Sequence, residues 1–380
     1  MLSYILVAFI TSLIAVIWIH PIIVKIALDK NIVDNPNKRK LQSHPIPVLG
    51  GVAVFFGIII GLAFTSKQSE SLSLMPIIAA MLIMLYTGVI DDIINLSARK
   101  RLLMEIGVIA LLIFTNDLTI DNFHGLWGLH EIPRGVAIPL TIFAAVGIIN
   151  SINLIDGVDG LCSCYGMFAS MLFGIIFMRM GDVSYAVLAF TIFGALRPFM
   201  LHNVFGKKYK MFMGDGGSLV LGFVLALFVT RVIQSGADVV SGSTISFTLA
   251  ILAIPVFDTL RVMTSRMLQG RSPFSPDKTH LHHMFIELGF SHVITAFNVI
   301  LLNGLVVAIW YMCSLLEFSA EMQLYVVVAS GLMFTTGLYH GVQAIQKHSP
   351  ASYLSMQRLV KKHAIHRSGL LLYLQKVLDR

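Results

Sequence analysis

The sequence predicts an all-α, polytopic membrane protein, and three observations predict it. Apolar residues make up 56% of the 380-residue chain and charged residues only 12%, far from the usage of a soluble globular domain. Mean hydropathy is +0.82. Apolar stretches long enough to cross a hydrocarbon core of about 30 Å as helices recur from end to end, and basic residues gather in alternate connections between them.

Eleven spans follow, near 2–24, 48–65, 74–90, 102–116, 135–152, 161–180, 183–205, 217–233, 244–262, 294–316 and 323–345. No basic residue precedes the first and no small-residue cleavage site follows it, so it reads as a retained span. Segment 25–47 carries Lys25, Lys30, Lys38, Arg39 and Lys40, 99–101 is Arg-Lys-Arg, and 207–210 holds three lysines. Segment 261–292 adds Arg261, Arg266, Arg271 and Lys278, and the tail seven more, so 22 of 27 basic residues share one side if the spans alternate. That side is the cytoplasm, because cytoplasmic loops collect Lys and Arg. The N-terminus is then outside, and the chain divides into a polytopic domain over 1–346 and a basic cytoplasmic tail over 347–380. The net charge of +7 is explained by anionic membrane lipid, without nucleic acid. Cys162, Cys164 and Cys313 fall within spans, where packing rather than a disulfide framework is expected.

Five polar stretches break the apolar pattern, all on the cytoplasmic side. DNPNKRKLQSHPIPVLGG, 34–51, is barred from long helix by its prolines and glycines and brings Lys38 and Arg39 close to the membrane; a solvated loop against headgroups is the plain alternative. GVIDDIINLSARKRL, 88–102, places Asp91 and Asp92 at the end of the third span. An ionised Asp at the centre of a span costs roughly 2.5 to 3.5 kcal/mol, so such a pair asks for partners. Neighbouring helical residues diverge by about 100°, so the two acids need not serve one ion.

NSINLIDGVDGL, 150–161, offers oxygen donors from Asn153, Asp156 and Asp159, with glycines that allow close backbone approach. Oxygen donors without thiolates suit Mg²⁺ or Mn²⁺. KKYKMFMGDGGSLVLGF, 207–223, sets Asp215 among glycines where a span begins, and a helix start of this kind presents free backbone N–H groups to an anion. GRSPFSPDKTHLHHMF, 270–285, combines Arg271 and Lys278 with His280, His282 and His283. It reads as a Pro-broken loop outside the spans, not needed to hold the bundle together, whose histidines reach a sugar or diphosphate; zinc is the weaker reading, since no Cys accompanies them. His20, His202 and His340 stand isolated and read as packing residues.

Together these stretches suit phosphoryl transfer: metal and basic groups carry the charge of a diphosphate, and an acid handles a proton on the incoming oxygen. A membrane-embedded site makes one substrate a lipid. Intramembrane acids also mark ion-coupled transporters, but those place them near the bilayer midplane, often in repeated halves; these gather at one face.

The five motifs, in this order, resemble the polyprenyl-phosphate N-acetylhexosamine-1-phosphate transferase family over about residues 1–345. DNPNKRK, PIPVLGG and SPFSPDKTHLHH are similar to the branch that transfers N-acetylglucosamine 1-phosphate from UDP-GlcNAc to undecaprenyl phosphate, more than to the muramoyl-pentapeptide branch. The resemblance implies a magnesium enzyme of the bacterial inner membrane feeding a cell-surface polysaccharide. It makes Asp215 and Asn153 the Mg²⁺ ligands, Phe212 the uracil platform, and Asp91, Asp92, Asp156 and Asp159 the catalytic acids. It places Arg101, Lys38, Arg39, Arg271, His280, His282 and His283 against diphosphate and sugar. The family's acidic motif often reads DDxxD, whereas Asn95 stands at its last position here. Another UDP-N-acetylhexosamine as donor, a covalent aspartyl intermediate, and a homodimer stay open.

Overall fold

The computed structural model describes residues 1–35, 44–65, 71–236, 238–240, 243–273, 278–362 and 369–379. Its helices are α1 (Leu2–Asp29), α2 (Gly50–Ala63), α3 (Ser71–Ile94), α4 (Ala98–Asn116), α5 (Arg134–Leu154), α6 (Leu161–Met180), α7 (Val183–Phe205) and α8 (Gly214–Ser235). They continue as α9 (Thr244–Leu268), α10 (Leu281–Glu287), α11 (His292–Leu315), α12 (Ala320–Leu332), α13 (Leu338–His348), α14 (Pro350–Lys362) and α15 (Leu370–Leu378). A two-residue hairpin of β1 (Val33–Asp34) and β2 (Ile46–Pro47) pairs antiparallel after α1.

The protein is a multi-pass, all-α membrane bundle. Among the described residues nine helical segments are long and apolar enough to cross a membrane, with α12, a π-helical turn and α13 running together as one of them. The sequence led us to expect eleven. The two others, α2 and α4, are helices in the expected places, but α2 has only 14 residues and α4 opens on Arg99, Lys100 and Arg101 and carries Glu105. Several helices outrun their apolar stretches. The extra turns on α3, α5 and α9 carry Asp91 and Asp92, Asn153, and Arg266 respectively, so polar residues expected at span ends are held on rigid helix.

The bundle is built around α8, with 94% of its apolar window buried. A helix that is apolar all round is expected in such a position. Small residues bring its neighbours close, as is usual between helices in lipid: a methyl on Gly88 of α3 would strike the backbone of Asp215 and Gly216, and one on Gly51 of α2 the backbone of Gly217. The segment before α2 docks on the segment before α8 by main-chain bonds. Phe212 N–H donates to Pro47 O (2.8 Å), Gly50 N–H to Phe212 O (3.0 Å) and Gly51 N–H to Met213 O (2.8 Å). The start of α2, the end of α3 and the start of α8 therefore meet at one end of the bundle.

The C-terminal segment reaches the same end. Gln357 of α14 donates to the Glu287 carbonyl of α10 (2.9 Å), and the Asp379 carboxylate accepts from the backbone N–H of Lys207 (3.0 Å) and Lys208 (2.9 Å). His20 and His202, expected to be isolated, stack on each other at 4.4 Å beneath this loop, with His20 Nε2 2.8 Å from Tyr209 O. Their separation in sequence hid the pairing of α1 with α7.

Candidate active site

Four carboxylates converge where α3, α5 and α8 meet, and each is held differently. Asp91 is buried on the inward face of the last turns of α3. It accepts from Leu96 N–H (2.6 Å) and from Arg101 Nη1 (3.3 Å). Arg101 in turn donates to Asn150 Oδ1 (3.3 Å) and lies 3.6 Å from the buried Glu105, which accepts from Asn150 Nδ2 (2.6 Å). The guanidinium predicted to hold diphosphate is thus engaged with Asp91, Glu105 and Asn150, and it fixes Asp91 to α4 and α5.

Asp92, one residue on, faces α8. Its carboxylate accepts from the backbone N–H of Asp215 (3.1 Å) and Gly216 (3.3 Å). This corrects the expectation that the glycine-rich helix start presents free N–H groups to a bound anion: two of them are capped by the protein's own acid. Gly214 makes the geometry, with φ of +69°, and a Cβ there would meet Asp92 Oδ2 at 2.6 Å. Asn95, where the family often has Asp, is exposed with φ of +52° after the last turn of α3. Asn tolerates that left-handed conformation, so it ends the helix and adds no carboxylate to the cluster.

Asp215 opens α8 and accepts from Asn153 Nδ2 (2.7 Å), which also donates to Ser218 Oγ (2.9 Å). The two residues expected to share a metal are adjacent. Asp156 lies in the turn after α5, half-buried and close to Asp215, Asp92 and Asp159. Burial first, then those three like charges, pushes its carboxyl well above the usual carboxylate range. Alone among these acids, Asp156 has no protein donor among the described residues.

Asp159 is separate in role. It pairs with Lys210 Nζ (2.6 Å) and His292 Nδ1 (3.0 Å). Burial opposes its ionisation, but His292 and Lys210 prevail and hold its carboxyl below the usual range. Lys210 lies 6.0 Å from the ring centre of the half-buried Phe212, so the turn after α5 is locked to the loop that carries the predicted uracil platform.

The histidine stretch departs most from expectation. Leu281–Glu287 is a short helix rather than a loop, and His280 and His282 are buried. Their rings lie parallel at 5.7 Å, and His283 tilts against His282 at 4.3 Å. Burial, then His283 and His280 beside it, pulls the His282 imidazole down to about 3. Its ring leans on the turn beside Asp156, since a methyl on Gly157 would lie 2.9 Å from His282 Nε2. Arg271 is exposed, and Lys38 and Arg39 lie outside the described residues.

Comparison with known proteins gives this constellation a family. Residues 73–233 match the family model described as glycosyl transferase family 4. The chain is 32% identical over 289 residues to a protein of Bacillus subtilis (strain 168) named "Probable undecaprenyl-phosphate N-acetylglucosaminyl 1-phosphate transferase", covering 76% of this chain and 79% of that one. The chain belongs to glycosyl transferase family 4. Proteins of Yersinia pestis and Escherichia coli (strain K12), both named undecaprenyl-phosphate alpha-N-acetylglucosaminyl 1-phosphate transferase, are each 31% identical over 70% of this chain and 73% and 72% of their own.

Within this family 4 transferase, residues that sequence reading passed over turn out to brace the site. Asn203 of α7 accepts from Gly160 N–H (2.6 Å) and donates to Met211 O (2.8 Å), clamping the turn after α5 to the loop before α8. Asp258 of α9 receives Arg261 and the histidine stretch. An acid inside an apolar span is itself a signal, and Asp258 was legible on that ground.

Proposed function

We propose that this membrane transferase moves N-acetylglucosamine 1-phosphate from UDP-GlcNAc to undecaprenyl phosphate. The observation that carries the reading is the junction of α3, α5 and α8, where Asn153, Asp215 and the donor-free Asp156 face one another beside the loop bearing Phe212. The names of the relatives support the two substrates. The basic residues support eleven crossings of a bacterial inner membrane, with the N-terminus outside and the site at the cytoplasmic face.

The chemistry is displacement at phosphorus. A phosphate oxygen of the lipid bonds to the β-phosphorus of UDP-GlcNAc, the bond from that phosphorus to the bridging oxygen breaks, and UMP leaves with the oxygen. Among the described residues no three acids, histidines or cysteines form a closed metal cage. Mg²⁺ is usually held by one or two carboxylates together with water and substrate phosphates. Asp215, Asn153 and Asp156 are the residues that would hold it, and the oxygen-only donor set suits Mg²⁺ or Mn²⁺. When bound, the ion neutralises the diphosphate and the leaving UMP.

The protein's own groups do the rest. Asp92 fixes the backbone of Asp215 and Gly216, so the start of α8 does not move as charge shifts. Asp91, paired with Arg101 at 3.3 Å, is the acid of the pair that we assign to the lipid phosphate. Asp159 and Lys210 hold the Phe212 loop in register with the metal ligands. The buried histidines close the sugar side, with Arg271, Lys38 and Arg39 as further basic groups for the donor. Incubating the purified protein with undecaprenyl phosphate, Mg²⁺ and a panel of UDP-sugars tests the assignment. UMP should appear with UDP-GlcNAc and only weakly with its 4-epimer. UMP from another UDP-sugar alone would replace the donor, and none from any would overturn the reaction.

A further inference from the structure

We propose that Asp258 and Arg261, in the second half of α9, are the positioning pair for the histidine stretch, setting which nitrogen of His280 is offered to the sugar nucleotide. The inference rests on the proposed transferase reading for its ligand, but not for its geometry.

Asp258 is 3% exposed, in a span where an unpaired carboxylate would be costly. It is fully occupied. Arg261 Nη2 donates to Oδ1 (2.6 Å), His280 Nδ1 lies 2.9 Å from Oδ2, and Leu281 N–H donates to both oxygens at 3.2 Å. Arg261 Nη2 also donates to Thr279 O (2.6 Å), and the guanidinium lies over the Tyr339 ring at 3.9 Å. One acid and one base thus grip three consecutive residues, 279 to 281, and tie them to α9 and α13.

A carboxylate only accepts, so the nitrogen of His280 that faces Asp258 carries a proton. Nε2 is then the nitrogen left over, and it is buried with no partner among the described residues. Leaving a buried polar atom without a partner is destabilising, and that cost is recovered if a ligand hydroxyl donates to it. The ring stacked beside His280 is His282, and His282 rests on Gly157 next to Asp156. The order Asp258, His280, His282, Gly157 links the pair to the metal-side turn, in the manner of carboxylates that orient histidines elsewhere.

The test has one arm that does not depend on activity. In the full chain carrying nitrogen-15-labelled histidine, with His280 assigned by the signal lost in His280→Gln, the proposal expects the proton on Nδ1 and a bare Nε2. A protonated Nε2 in the wild type overturns it. Asp258→Asn presents an amide donor in place of an acceptor and should move that proton. It should also raise KM for UDP-GlcNAc about tenfold, the order of one buried hydrogen bond, with KM for undecaprenyl phosphate unchanged and partial recovery in Asp258→Glu. A merely structural role would lower active enzyme with both KM values unchanged, which contradicts the proposal. If Asp258→Asn does not fold, Arg261→Lys and the wild-type spectrum decide. If the wild type releases no UMP from UDP-GlcNAc, the transferase reading fails while the proton position still judges the pair.

Discussion

Asp92 receives the backbone N–H of Asp215 at 3.1 Å and that of Gly216 at 3.3 Å. The second acid of the Asp91-Asp92 pair therefore caps the helix that carries the proposed metal ligand, while the first pairs with Arg101. Asp92→Ala should lower the unfolding temperature, since losing a helix cap costs about 1 kcal/mol, and should also lower UMP release by loosening Asp215. Asp92→Asn, which keeps one accepting oxygen, should fall between. Thermal unfolding alongside turnover checks both, and an Asp92→Ala protein matching wild type in the two would remove the cap from the mechanism.

Close approach of α3 to α8 gives a second expectation. A methyl at Gly88 meets the Asp215 carbonyl, whereas one at Gly107 of α4 meets nothing within 4 Å. Overpacking of this kind costs roughly 1–3 kcal/mol, so Gly88→Ala should destabilise the protein and reduce activity, with Gly107→Ala as the neutral control. Equal unfolding temperatures for the two variants would mean that the contact relaxes freely.

His282 should make stability depend on pH. Its imidazole is held down at about 3, below the ordinary 6.5, so the folded protein binds fewer protons than the unfolded chain. The contribution is fully present above about pH 6.5 and is lost as pH falls from there towards 3. His282→Gln should flatten the fall in unfolding temperature across that window. An identical slope in the variant would place the titration elsewhere.

The charge distribution predicts an orientation that labelling can check. A tag at Met1 should be reached from outside the cell, and one at Arg380 only after permeabilisation. The reverse would put the acid cluster on the wrong side for a cytoplasmic nucleotide.

Much of this was legible in the sequence because a bilayer simplifies the reading: each apolar run became a helix, and the acids stood out against it. Asp215 and Asn153 were recognised as partners across 62 residues through the resemblance. What stayed hidden was which group each polar residue faces. Nothing local distinguishes Asp91 from Asp92, since the difference arises only when α8 packs against α3. The histidine stretch read as a loop because its prolines precede a helix of only seven residues, too short for periodicity to show. Arg101 looked like a free cation until α5 brought Asn150 to it.

The metal assignment is tested most directly by UMP release measured against Mg²⁺ concentration, for wild type, Asn153→Ala and Asp215→Asn, each shown to be folded by size-exclusion chromatography. Asp215→Asn keeps the shape and the contact with Asn153 while removing a charge, so turnover should fall by orders of magnitude, with a little recovered at high Mg²⁺. Asn153→Ala should fall in the same direction but less, because an amide neutralises nothing. A folded Asp215→Asn protein that turns over at the wild-type rate, with an unchanged Mg²⁺ requirement, would contradict the assignment.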